Sequence, residues 1–192
     1  AWHNKLQRFA EETRLGIPIT IASDPRNHFS HNIFAMRASG FSQWCETLGM
    51  AAIGDTGLVR EFADIVRQEY LAVGIRMALH PQIDLATEPR WARISGTFGE
   101  DAHLTARLAA AYIEGFQGAA LGPQSVACMT KHFPGGGPQL DGEDPHFAYG
   151  REQVYPGGQF ELHLKPFEAA FGAGTSQIMP YYGMPVGTEY EE

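Results

Sequence analysis

The chain reads as an α/β fold built from parallel βαβ units, on three observations. Short apolar runs rich in β-branched residues alternate with stretches whose apolar residues recur at helical spacing. The runs carry almost no polar side chains, as expected of strands buried on both faces by crossover helices. Several of them end in a cluster of polar or charged side chains. In α/β barrels the C-terminal strand ends and the loops that follow form the active face.

Residues 3–15 suggest a first helix, with Leu6, Phe9 and Ala10 on one face and Gly16 as the break. Ile17 to Ala22 then reads as a β-branched strand. Leu58, Phe62, Ile65, Val66 and Val73 recur at helical spacing, with Thr56 as the candidate N-cap and Gly74 as the stop. Ile75 to Leu79 is the next short strand. Asp101 caps a helix carrying Leu104, Leu108, Tyr112 and Phe116 that stops near Gly118. Val126 to Met129 forms the third strand and runs into Lys131-His132-Phe133. A helix over 160–172 holds Leu162, Phe167 and Phe171, with Pro166 as a kink, and Gln177-Ile178-Met179 opens the last strand.

With 192 residues, 44% of them hydrophobic and 19% charged, the composition is that of a globular chain. A formal net charge of −8 excludes a nucleic-acid binder that works by a basic stripe, and argues against an anionic membrane surface. No apolar stretch approaches the roughly 20 residues that span a bilayer. Cys45 and Cys128 form neither a disulfide framework nor a zinc spacing, and Cys128 reads as a buried reduced thiol within a strand.

The first strand is followed by Ser23-Asp24-Pro25, and the second by His80-Pro81 and then Glu88-Pro89-Arg90-Trp91. The third ends in Lys131-His132 and the fourth in Met179-Pro180-Tyr181-Tyr182. Gathered on one rim, a carboxylate, a guanidinium, an ammonium, an imidazole and phenols suit a small polyhydroxylated ligand. Charged groups hydrogen-bond several hydroxyls, while an aromatic ring stacks on the C–H face of a sugar. Gly135-Gly136-Gly137 lacks the Lys-Ser/Thr of a phosphate loop. The long Gly/Pro-rich loop over 134–158 carries Asp141, Glu143, Asp144 and Arg151, and its three acids read as a flexible, solvated rim. His28-x-x-His31 has no third ligand and reads as a polar turn, so no metal is expected.

Three segments in order, Glu88-Pro89-Arg90-Trp91-Ala92-Arg93, Phe98-Gly99-Glu100-Asp101 and Lys131-His132-Phe133, resemble the PRWGR, FGED and KHF motifs of glycoside hydrolase family 3. The resemblance covers essentially the whole chain. It implies the N-terminal barrel domain of a β-glucosidase-type enzyme: a partial (β/α)8 TIM-type barrel with about four of its eight parallel strands. It also implies retaining hydrolysis of terminal, non-reducing β-linked sugars, with a β-glucoside or oligosaccharide as substrate. No cofactor and no nucleic-acid or membrane partner is implied; a secreted or periplasmic location is.

Carried over position by position, Asp24 matches the aspartate that binds hydroxyls of the terminal sugar, and Arg90, Lys131 and His132 match further donors of that subsite. Met179 and Tyr182 match the strand end near the nucleophile, and Arg151 adds a contact from the long loop. Plainer readings stand beside these. Asp24 before proline initiates turns. Arg90 pairs with Glu100 or Asp101, Arg93 is a structural partner of the same acids, and Trp91 is packing.

The chain departs from the family pattern in having Ala92 where the family has glycine. Its final residues show no strand bearing the nucleophilic aspartate, and the acid/base glutamate of the family lies on a second domain. Residues 1–192 therefore resemble an internal slice of the first domain, with most of the sugar subsite and neither catalytic carboxylate. Of the rivals, the β-N-acetylglucosaminidase branch has a histidine in its KHFPGHG loop where this chain has Gly136. β-Xylosidase or glucan exo-hydrolase activity stays open, as does a non-catalytic sugar-binding role.

Overall fold

The computed structural model describes residues 2–25, 27 and 40–191. Four strands, β1 (Ala22–Ser23), β2 (Met77–Ala78), β3 (Ala127–Phe133) and β5 (Gln177–Pro180), form one sheet in the order β1-β2-β3-β5. Every pairing in it is parallel, with Ser23 beside Ala78, Ala78 beside Cys128 and Lys131 beside Met179. Spatial order follows chain order, as in a barrel wall with helical crossovers. The expected α/β architecture with parallel strands is what the chain adopts.

The crossovers are α3 (Thr56–Val73), α4 (Ala102–Gln117) and α5 (Phe160–Gly172), preceded by α1 (Trp2–Glu11) and a short α2 (Thr47–Ile53) that the sequence did not announce. Phe62, Val66 and Tyr70 of α3, Leu108, Tyr112 and Phe116 of α4, and Phe167 of α5 cover Ala78, Val126 and Cys128 in a single core. Tyr112 and Phe116 stack with ring centroids 4.8 Å apart. α4 packs against both α3 and α5. Gly115 allows its approach to α3, since a Cβ there would meet Ala63 Cβ at 2.5 Å and the Arg60 carbonyl at 2.6 Å. Cys128 is fully buried and burial pushes its thiol up, in keeping with an inert core residue. Trp91 is buried too, as packing requires.

Some expectations need correction. The first helix ends at Glu11, and only the end of the 17–22 run becomes strand. Pro18 has no N–H for a ladder. The backbone of Ile19 is taken by the Gln7 side chain, with Ile19 N donating to Oε1 (3.0 Å) and Gln7 Nε2 donating to the Ile19 carbonyl (2.8 Å). The N-cap of α3 is Asp55, whose carboxylate accepts from the Gly57 and Leu58 amides, and not Thr56. Asp101 caps α4 as expected, and α5 runs through Pro166. A second, two-stranded parallel pair joins β4 (Glu152–Gln153) to β6 (Met184–Pro185). His28 and His31 lie outside the described residues.

Candidate functional site

Three consecutive strands deliver the centre of the site. Asp24 follows β1 directly, His80 follows β2, and Lys131 and His132 lie near the end of β3. Lys131 Nζ lies 2.5 Å from Asp24 Oδ1, and His80 Nδ1 lies 3.3 Å from the same oxygen. The Lys131 side chain is 6% exposed and that of Asp24 45%. A nearly buried ammonium is thus paired to a carboxylate at the mouth of the sheet, which is how a buried charge is tolerated. Burial by itself would raise the Asp24 pKa; the hydrogen bond and charge of His80, and then Lys131, outweigh it and hold the carboxyl well below its ordinary range.

Beside this pair, His132 Nδ1 lies 3.1 Å from Oδ2 of the fully buried Asp84. The other oxygen of Asp84 accepts the backbone amides of His132 (3.3 Å) and Gly136. Burial pushes Asp84 up, but the facing His132, the Gly136 amide and Arg93 prevail and lower it. Burial depresses the His132 pKa, only partly offset by Asp84. A neutral ring that donates from Nδ1 to Asp84 leaves Nε2 unprotonated.

Gly136 fits this arrangement because a Cβ there would run into the Tyr181 ring at 2.6 Å. Tyr181 in turn lies 5.5 Å from the His132 ring and donates its hydroxyl to Gln139 Oε1 (3.0 Å). A histidine at position 136, as in the N-acetylglucosaminidase branch, has no room in this packing.

The expected residues fall into three places. Asp24, Lys131 and His132 come together, with Met179 paired to Lys131 in the sheet. Arg151 and Tyr182 line a separate open cavity of about 620 Å³ with Pro145, His146, Gly183 and Met184. There the Tyr182 ring meets the His146 ring edge-on at 5.0 Å, and His146 Nδ1 lies 2.6 Å from Asp144 Oδ1. Arg90 is exposed; it donates to Glu88 at 2.8 and 2.9 Å and lies 3.1 Å from Asp141. Its ion-pair partners are thus Glu88 and Asp141, and not the Glu100 or Asp101 of the plainer reading.

Arg93 also departs from expectation, since among the described residues no ion pair joins it to Glu100 or Asp101. Its charge acts instead on Asp84, Lys131, His132, Tyr181 and Asp144. Sequence reasoning missed Arg93, Asp84 and His80 as site residues. The signal for His80 was its place directly after a strand. For Asp84 it was a lone carboxylate between Ile83 and Leu85.

A parallel barrel wall with a cation–carboxylate pair at its strand ends is the architecture of a (β/α)8-barrel enzyme domain. The chain belongs to glycosyl hydrolase family 3: the sequence model of that family's N-terminal domain matches residues 2–183. Beta-glucosidase C of Emericella nidulans is 60% identical over 190 residues, which make up 98% of this chain and 31% of that protein. The periplasmic beta-glucosidase/beta-xylosidase of Dickeya chrysanthemi is 52% identical over 185 residues, 95% of this chain and 28% of that protein. The solved structure of a b-glucosidase, EmGH1 from Erythrobacter marinus, superposes with a TM-score of 0.83 at 28% identity, covering 98% of this chain and 24% of that one. The chain spans about 30% of the length of the curated relatives it matches.

Proposed function

We propose that this chain is the sugar-holding part of a retaining β-glucosidase, acting on the terminal non-reducing residue of a β-linked glycoside. The observation that carries the reading is the Lys131–Asp24 pair at 2.5 Å, with His132 buried beside it, at strand ends of a family 3 domain. Asp24 accepts sugar hydroxyls, Lys131 donates to them, and the unprotonated Nε2 of His132 accepts one more. Met179, paired to Lys131 in the sheet, borders that subsite; Arg151 and Tyr182 contribute from the separate cavity they line, and Arg90 from the rim.

Retaining hydrolysis needs two carboxyl groups about 5–5.5 Å apart, one as nucleophile and one as acid then base. In this reading neither is among residues 1–192; both come from further parts of a longer protein, the second from another domain. Of the carboxylates near the centre, Asp84 is fully buried and committed to three N–H groups, and Asp24 is committed to Lys131 and His80.

The test is to assay the full-length protein carrying this chain on 4-nitrophenyl β-glucoside and 4-nitrophenyl β-xyloside, with NMR of the first-formed anomer. β-Glucoside turnover with a β-configured first product is expected. Absence of turnover on either substrate, or an α-configured first product, would overturn the reading. The xyloside is included because the Dickeya relative carries both activities in its name.

A further inference from the structure

We propose that His80 is a positioning residue of the sugar subsite: together with Lys131 it grips one oxygen of Asp24 and so turns the other toward the ligand. The inference rests on the subsite reading above and deepens it. Both distances, 2.5 Å from Lys131 Nζ and 3.3 Å from His80 Nδ1, are to Oδ1. The described residues give Oδ2 no hydrogen bond. A half-exposed carboxylate held by one partner pivots about that contact; a second, ion-pair contact on the same oxygen, from the segment after β2, restrains it further.

His80 itself is built to stay in place. Its side chain is 5% exposed, and its ring stacks on Tyr112 with centroids 6.5 Å apart and planes 28° from parallel. The backbone on each side is pinned. Leu79 N donates to the Ser23 carbonyl at 3.0 Å, and Lys131 N donates to the Pro81 carbonyl at 2.9 Å. The histidine is therefore tied on one side to the strand that presents Asp24 and on the other to the strand that presents Lys131. The role of His80 is carried through Asp24.

The titratable groups facing Asp24 are His80 from the segment after β2, Lys131 from β3, and the phenols of Tyr70 on α3 and Tyr112 on α4. Burial raises both phenols, Tyr112 strongly, so they stay protonated, and the cationic side of the balance falls to His80 and Lys131.

Two variants separate the donor from the packing. His80→Phe keeps a ring against Tyr112 but cannot donate, whereas His80→Gln keeps an amide donor. In the full-length protein, His80→Phe is expected to lower kcat/KM on 4-nitrophenyl β-glucoside by about 10- to 100-fold, the worth of a hydrogen bond to a charged group. His80→Gln should stay within about threefold of the parent. In an Asp24→Asn background His80→Phe should cost no more than about threefold, because residues acting through one contact are not additive.

Full multiplicative loss in that background, or equal loss in Phe and Gln variants, would overturn the proposal. The ¹³Cγ resonance of Asp24 reads the same question without turnover. It should titrate at higher pH in His80→Phe than in the parent, and an unchanged titration counts against positioning. If the parent hydrolyses no glycoside, the subsite reading falls, and that resonance alone decides what His80 does.

Discussion

Asp84 shows how a single buried charge organises the residues around it. It has no contact with solvent, yet it stays ionised because three N–H groups converge on it and hold both the His132 ring and the turn at Gly136. Asp84→Asn keeps the shape and loses the charge, leaving donors facing an amide. It should cost about 2–4 kcal/mol in chemical denaturation, by the price of a broken buried pair. A cost under about 0.5 kcal/mol would mean the network is not a structural keystone. In the proposed reading Lys131 acts on the ligand side. In the full-length enzyme Lys131→Ala should lower kcat/KM on an aryl β-glucoside by about 10²–10³-fold, in line with other electrostatic donors that tighten on a developing oxocarbenium ion. Near-wild-type kinetics would remove Lys131 from the subsite.

His163 supplies a pH prediction. Burial pushes its folded-state pKa down to about 4, while the unfolded chain titrates near 6.5. The unfolded state therefore binds the extra proton between those values, and stability falls as pH drops from about 6.5 toward 4. The shift corresponds to on the order of 3 kcal/mol. Melting curves of His163→Leu should show a flatter acid limb through that window than those of the parent; an identical slope would refute the assignment. That Asp24, Lys131 and His132 come together was legible because each lies at or just after a strand end. Arg93, three residues from Arg90 in the same motif, was not. Which guanidinium turns inward depends on Glu88 and Asp141 capturing Arg90, a tertiary fact.

At the level of elements, helices were read more accurately than strands and loops. α3, α4 and α5 each present one apolar face to the sheet, and that periodicity is local information. The strand over 17–22 failed because Gln7, twelve residues away from Ile19, takes the backbone groups a ladder would need. The loop over 134–158 was expected to be a flexible rim, but two fully buried glutamines staple it. Gln139 Nε2 donates to the Gly150 and Glu152 carbonyls while its Oε1 accepts from Tyr181. Gln153 Nε2 donates to the Gly135 carbonyl at 2.6 Å. Glutamine carries no loop signal in a sequence, so nothing local reveals such a staple. Gln139→Ala would leave two carbonyls and a phenol short of partners. The expected cost is about 2–3 kcal/mol, with new protease cleavage confined to 134–158. Unaltered cleavage in that loop would show that it is held by other means.

On the scale of the whole molecule, the described sheet ends at β1 on one side and β5 on the other. Backbone groups along an unpaired strand edge invite pairing with another chain, and a barrel avoids this by closing on itself. Large apolar side chains are also exposed: Trp2, Phe9, Leu15, Ile17 and Ile19 in the segment that precedes β1, and Phe171 on α5. Side chains of this kind are ordinarily buried. The chain also corresponds to 28–31% of relatives that it matches over nearly its own full length. Residues 1–192 expressed by themselves should therefore self-associate in size-exclusion chromatography and bind a hydrophobic dye. By the proposed division of labour they should also leave an aryl β-glucoside unhydrolysed, because the catalytic pair acts as a unit and its loss is not a partial one. The decisive comparison is the purified chain beside the full-length protein on the same substrate. Turnover above background by residues 1–192, abolished by Asp24→Ala or Asp144→Ala, would mean that the reacting carboxylates lie within this chain after all.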